Sequence, residues 1–152
     1  MSSNAATILL ISGPNLNLLG EREPEIYGHE SLAFHVQTAT DAAVAHGLGL
    51  VHMQSNHEGA IIEAIQQARG VHAAIVINAG AFSHTSWAIH DALQAFDGPV
   101  VELHLSNPQA RESFRHLSVI APAADGAIAG FGNLGYQLSV DAVAQLLLAK
   151  GA

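Results

Sequence analysis

GPNLNLLGEREPEIYG, residues Gly13 to Gly28, follows directly on the apolar run Ile8-Leu9-Leu10-Ile11. The run reads as a buried strand. The stretch after it has little helical or strand periodicity. A loop of that length inside a compact domain is either functional or disordered. Leu16, Leu18, Leu19, Ile26 and a tyrosine argue against disorder. The loop also carries Asn15, Arg22 and Tyr27: an amide, a fixed cation and a phenol. A nearby guanidinium favours the phenolate and lets a tyrosine ionise below its usual pKa of about 10. The segment from about 19 to 30 is therefore read as an active-site lid that carries a tyrosinate base.

Working outward, apolar strand-like runs alternate with helical patterns. Strands are predicted at about Thr7–Ser12, Leu48–Gln54, Ala74–Asn78, Val100–Leu105 and Gly126–Ala129. Helices are predicted from Ser31, a plausible N-cap, to His46, and over Glu58–Arg69, Thr85–Phe96 and Asn133–Lys150. A short helical turn is placed at about Gln109–Phe114. No linker or repeat divides the chain, so residues 1–152 read as one catalytic domain. Near-continuous apolar strands separated by helices imply an α/β fold with a parallel sheet covered on both faces. In such sheets a ligand binds beyond the carboxyl ends of the strands, at a topological switch point. Polar residues just past each strand then carry the most weight.

Composition narrows the chemistry. Five basic and 13 acidic residues give a formal net charge of −8, which argues against a nucleic-acid partner. No cysteine is present; disulfides, thiolate metal sites and cysteine nucleophiles are excluded. The one lysine, Lys150, lies at the carboxyl terminus, a poor place for the desolvated amine of a Schiff base. The N-terminal MSSNAATILLIS has no basic region of the secretory type. No apolar run approaches the ~18 residues of a membrane span. A cytoplasmic location without membrane contact is expected.

Four constellations stand out. Glu102 and His104 are two apart on a strand and share a face; they read as a general acid with its orienting carboxylate, or as a structural ion pair. Arg111 and Arg115 are four apart and would share a helix face. They form a carboxylate clamp or surface salt bridges, for example to Glu112. His84 and Asp91 are seven apart, two turns along one helix, with Asn78 at the preceding strand end; the alternative is a capping segment and a surface Asp. Gly130-Phe131-Gly132-Asn133-Leu134-Gly135 matches G-x-G-x-x-G. The chain ends too soon for another strand, which a dinucleotide fingerprint requires, so the glycines read as close strand–helix packing or as backbone approach to a neighbour. His35, His46, His52 and His72 are scattered and read as surface or half-buried. No metal and no cofactor are expected.

Five ordered motifs together resemble the type II 3-dehydroquinate dehydratases, the type II dehydroquinases. They are Gly13–Gly28, QSNHEGAIIEAI (Gln54–Ile65), INAGAFSHTSWAIHDAL (Ile77–Leu93), VELHLSNPQARESFRHLS (Val101–Ser118) and GFGNLGYQLSVDAV (Gly130–Val143). The resemblance covers nearly the whole chain. It implies a flavodoxin-like three-layer sandwich on a five-stranded parallel sheet, and a homododecamer built as a tetramer of trimers. It implies dehydration of 3-dehydroquinate to 3-dehydroshikimate in the shikimate pathway. By resemblance Tyr27 is the base, Arg22 the transition-state arginine and His104 the acid held by Glu102. Asn15 holds a water on the enolate. Asn78, His84, Asp91, Leu105, Ser106 and Arg115 bind substrate, and Arg111 is the second arginine near the lid. The sequence departs from the common pattern at Glu21, where threonine is usual, at Ala79, where proline is usual, and at His90, where arginine is usual.

Two other functions fit the fold. A non-catalytic binder of a small hydroxy acid would keep the cations but lose the base; Tyr27, Arg22 and His104 are all present. A flavin or nucleotide domain would need a phosphate-cradling loop after the first strand, and here that loop is leucine-rich.

Overall fold

The computed structural model describes residues 4–150. The single-domain reading of 1–152 also takes in residues 1–3 and 151–152, which lie outside the described residues. Five strands form one parallel sheet: β1 Thr7–Ser12, β2 Gly49–Gln54, β3 Ala74–Asn78, β4 Val100–His104 and β5 Gly126–Ala129. Their order is β2-β1-β3-β4-β5, the flavodoxin-like order, with the switch point between β1 and β3. The helices are α1 Pro24–Tyr27, α2 Leu32–Ala45, α3 Glu58–Ala68, α4 Trp87–Gln94 and α5 Leu134–Ala149. Among the described residues no helix is long and apolar enough to cross a membrane.

Strand alternation divides the core into two layers. Ile8, Leu10, Val76, Val101 and Leu103 pack with Ala39, Ala43, Tyr136, Val140 and Val143 of α2 and α5. Leu9, Ile11, Ile75, Ile77 and Val100 pack with Ile61, Ile65, Ile89 and Leu93 of α3 and α4. Cutting a fully buried Ile or Leu of either layer to Ala costs about 2–5 kcal/mol. Local signals start the helices. The Ser31 hydroxyl accepts the Phe34 N–H at 3.2 Å, and Ser86 accepts the Ile89 N–H at 3.0 Å; such caps contribute about 1 kcal/mol each.

The switch point is tight. The Gly13 N–H donates to the Asn78 carbonyl at 2.7 Å. A Cβ at Gly13 would lie 2.5 Å from the Ala79 carbonyl oxygen, so only glycine lets the two strand ends meet. The glycine run before α5 does what its sequence implies: a Cβ at Gly135 would lie 2.9 Å from Leu103 Cδ1.

Three local expectations change. The 13–28 stretch is not plain loop: it holds a 3-10 turn at Leu16–Leu18 and the one-turn α1, with Pro24 at its first position. The helix expected from Thr85 starts at Trp87, because Gly80–His84 forms its own 3-10 turn and Ser86 caps the helix. The helical turn expected at Gln109–Phe114 is two 3-10 turns, Pro108–Ala110 and Ser113–Arg115. An α-helix would join the Arg111 carbonyl to the Arg115 N–H. Instead the His116 ring takes that carbonyl at 3.0 Å, and the Arg115 N–H turns to Glu112 at 2.9 Å.

Candidate active site

The carboxyl ends of β1, β3 and β4 open into one cavity of about 190 Å³. Asn15 enters from the loop after β1, Asn78 is the last residue of β3, and His104 is the last of β4. Arg22 precedes α1 and Tyr27 ends it, and His84 comes from the 3-10 turn after β3. Leu105, Ser106, Arg111 and Arg115 close the remaining side. Ten of the twelve predicted site residues therefore line one space. Arg111 and Arg115 reach it from separate 3-10 turns and not from one helix face.

The other two lie apart. Glu102 is 1% exposed and sits behind His104; the His104 Nε2–H donates to its Oε2 at 2.8 Å, leaving Nδ1 free of that bond. The contact between Glu102 and His104 is present, and both readings of the pair share it. Asp91 is exposed on α4 and does not line the cavity of its own chain. The shared helix face expected for His84 and Asp91 does not exist, since His84 precedes the helix.

The cavity is built for an anion. Three of the chain's five basic residues line it, and no carboxylate does. The Arg22 and Arg111 guanidinium carbons lie 5.2 and 5.0 Å from the Tyr27 ring centroid, within cation–π range. Arg22 also approaches Glu23 at 3.8 Å. Arg115 Nε donates to Glu112 Oε2 at 2.9 Å, and this bond, before the other arginine charges, holds the Glu112 carboxyl below its ordinary pKa. Surface salt bridge and cavity lining thus coexist at Arg115.

The amides are held in place. Asn15 has φ 68°, a left-handed conformation that asparagine tolerates better than most residues. Its N–H donates to Asn56 Oδ1 at 3.0 Å, and Gln54 Nε2 donates to the same oxygen at 3.2 Å and to the Gly13 carbonyl at 3.1 Å. Asn78 Oδ1 accepts the Gly80 N–H at 3.1 Å, and the residue lines the cavity. Under Asn78 lies Tyr136, whose phenol burial pushes up to about 12 against the opposing pull of the Asn78 side chain.

A second hollow of about 430 Å³ lies on the other side of Tyr27 and Arg111, lined also by Glu30, Ser106, Gly130 and Asn133. Its glycine run offers no phosphate cradle: the Gly130 and Gly132 N–H groups donate to the His104 and Leu105 carbonyls at 3.3 and 3.0 Å. Among the described residues no three His, Cys, Asp or Glu side chains gather as metal ligands. The histidines differ from their reading in one case. His35 is fully buried, stacked on Tyr136 at 4.9 Å. His46 pairs with Asp141, His52 bonds Ser12 and His72 bonds Thr7. His90 is buried and donates from Nδ1 to the Val119 carbonyl at 2.7 Å.

Sequence reasoning missed Ser118 and Tyr136. Ser118 Oγ donates to Glu102 Oε2 at 2.6 Å. Neither sits at a strand end, which was the signal used.

Comparison with known proteins bears on the family and the fold. Residues 6–144 match the family model described as dehydroquinase class II. A 3-dehydroquinate dehydratase of Ruegeria pomeroyi is 53% identical over 150 residues, covering 96% of this chain and 98% of that protein. The crystal structure of the type II dehydroquinase from Butyrivibrio crossotus superposes with a TM-score of 0.88 at 44% identity, covering 91% of this chain and 97% of that one. The type II dehydroquinase from Propionibacterium acnes gives a TM-score of 0.89 at 38% identity, with 95% and 99% coverage. A family model that spans most of the chain, with a relative more than half identical over nearly its whole length, settles the kinship: this chain belongs to the class II dehydroquinases.

Proposed function

We propose that this chain is a hydro-lyase that converts 3-dehydroquinate to 3-dehydroshikimate, in the shikimate pathway to chorismate and the aromatic amino acids. The observation that carries the reading is the convergence of Tyr27, two guanidiniums and His104 on one small polar cavity. Elimination needs a base for the proton alpha to the ketone, a stabiliser for the enolate and an acid for the departing hydroxyl. Tyr27 takes the proton; Arg22 and Arg111 supply the positive charge a tyrosinate base needs beside it. The enolate is stabilised by hydrogen bonds, including a water held by Asn15. His104, held by Glu102, donates its proton so that the hydroxyl leaves as water. Arg115, Asn78, His84 and the Leu105–Ser106 segment fix the substrate. The elimination is anti and forms no Schiff base, in keeping with a lone lysine, Lys150, whose Nζ donates to the Asp97 carbonyl at 3.2 Å.

The reading extends to a single catalytic domain with a lid at about 19–30, to the cytoplasm, and to a homododecamer of four trimers. Exposed Trp87, Phe114 and Leu117, each 60% or more accessible, support assembly. A substrate role for Asp91 requires a second copy beside the cavity. Light scattering tests the assembly, and a trimer-or-smaller mass overturns it.

The first assay is ultraviolet detection of the conjugated enone formed from 3-dehydroquinate. Turnover that disappears in Tyr27→Phe supports substrate, reaction and base together. Substrate binding without turnover in the folded wild type supports the non-catalytic hydroxy-acid binder instead.

A further inference from the structure

Glu102 receives two donors on one oxygen. His104 Nε2–H approaches Oε2 at 2.8 Å and the Ser118 hydroxyl approaches it at 2.6 Å. Ser118 in turn accepts the Ile120 and Ala121 N–H groups at 3.2 and 3.0 Å. A hydroxyl whose lone pairs are taken up by two N–H groups has one direction left for its proton, and that direction is Glu102. Ser118 also ends the segment that carries Arg111 and Arg115. That end is pinned: the Val119 N–H donates to the Ser83 carbonyl at 2.7 Å, and His84 Nδ1 donates to the Leu117 carbonyl at 2.8 Å.

We propose that Ser118 is a positioning residue, which fixes the Glu102 carboxylate for His104 and ties the arginine-bearing segment to the same point. The proposal rests on the reading of His104 as general acid. A hydroxyl donating to a carboxylate disperses its charge. It leaves less negative charge to hold the proton on the imidazole, so the acid gives that proton up more readily. It also fixes which oxygen faces the ring. The charged and titratable groups around the pair are His84 and His90 from the β3 side, Arg111 and Arg115 from the following segment, and Tyr27 and Arg22 from the lid. The neighbouring strands set only Ile77 and Ala127 opposite Glu102.

The test is Ser118→Ala beside Ser118→Thr. In Ser118→Ala, kcat falls about tenfold, the size of one lost charge-assisted hydrogen bond, and KM rises less, by about threefold, because the arginine-bearing segment loses one tie. The His104 imidazole, followed by NMR, titrates higher than in wild type. Ser118→Thr, which keeps the hydroxyl, restores both. In a Glu102→Gln background Ser118→Ala costs little further rate, because the two act as one unit. A folded Ser118→Ala with kcat within about twofold of wild type and unmoved His104 titration overturns the proposal; so does full additivity with Glu102→Gln. If Ser118→Ala fails to fold, Ser118→Cys keeps the shape with a weak donor and carries the same expectations. The NMR titration needs no turnover, so absence of dehydratase activity would defeat the functional reading while the His104 shift still judged Ser118.

Discussion

The two segments that bring arginines to the cavity are built in opposite ways. Between 20 and 30, the hydrogen bonds among the described residues are local: Glu21 to Leu18, Ile26 and Tyr27 to Glu23, Gly28 to Pro24. The Arg22 side chain is 38% exposed and its ion-pair partner is its neighbour Glu23. Between 107 and 119 the turns are tied to one another and, at the far end, to the rest of the fold. Gln109 holds the His116 carbonyl at 2.9 Å, and His116 holds that of Arg111. Ser118 and Val119 are fixed to Glu102 and Ser83. One cationic wall is rigid and the other rests on its own short turns. Segments with few outside bonds open at little free-energy cost. The rigid wall suits recognition of the substrate, and the loose one suits charge delivered as the reaction proceeds.

That division can be broken by kinetics. Arg22→Ala is expected to lower kcat about a hundredfold, the scale of a lost transition-state stabiliser, with KM within about threefold. A raised KM at unchanged kcat would erase the distinction. Arg115→Ala should raise KM about tenfold, the loss of one charge-assisted contact, and leave kcat within about threefold. His116→Ala removes only a support of the rigid wall. Its KM should rise about threefold to fivefold, near the worth of one neutral hydrogen bond; an unchanged KM would mean that the wall holds without it.

The smallest effect concerns the start of α2. Burial pushes the His35 pKa below its ordinary 6.5, with Glu30 pulling the other way. Asn133 Nδ2 donates to His35 Nδ1 at 2.8 Å, a bond that needs the neutral ring. A base whose folded pKa is lowered binds more protons when unfolded. Its stability contribution is complete above about 6.5 and is lost as pH falls toward the lowered folded value. Comparing melting at pH 8 and 5.5, His35→Leu should lose less than wild type on acidification. His52, also lowered by burial, leaves a residual slope. An equal loss in both proteins would clear His35 of the effect.

The strands were legible because their runs are apolar on both faces and end at glycine, proline or a polar cluster. β1, β3 and β5 match their predicted bounds, and β2 and β4 differ by one residue. The site was legible where chemistry follows a strand end, as at Asn78 and His104. Other features depend on contacts between distant segments. The break between Arg111 and Arg115 exists because His116 captures a carbonyl that helical periodicity assigns to Arg115. His35 looks like a surface histidine until Tyr136 stacks on it. Ser118 has no spacing rule to tie it to Glu102, and Asp91 was placed by a helix that starts three residues later than His84. The family resemblance supplied residue roles; it did not supply these supports.

A cavity with three arginines and no carboxylate also constrains medicinal chemistry. Any inhibitor that copies its ligand must carry negative charge, and negative charge crosses hydrocarbon poorly. The hollow behind Tyr27, about 430 Å³ with Glu30 on its wall, has a different polarity. A neutral scaffold reaching from one space into the other would draw affinity from the tyrosine itself, and would need less negative charge.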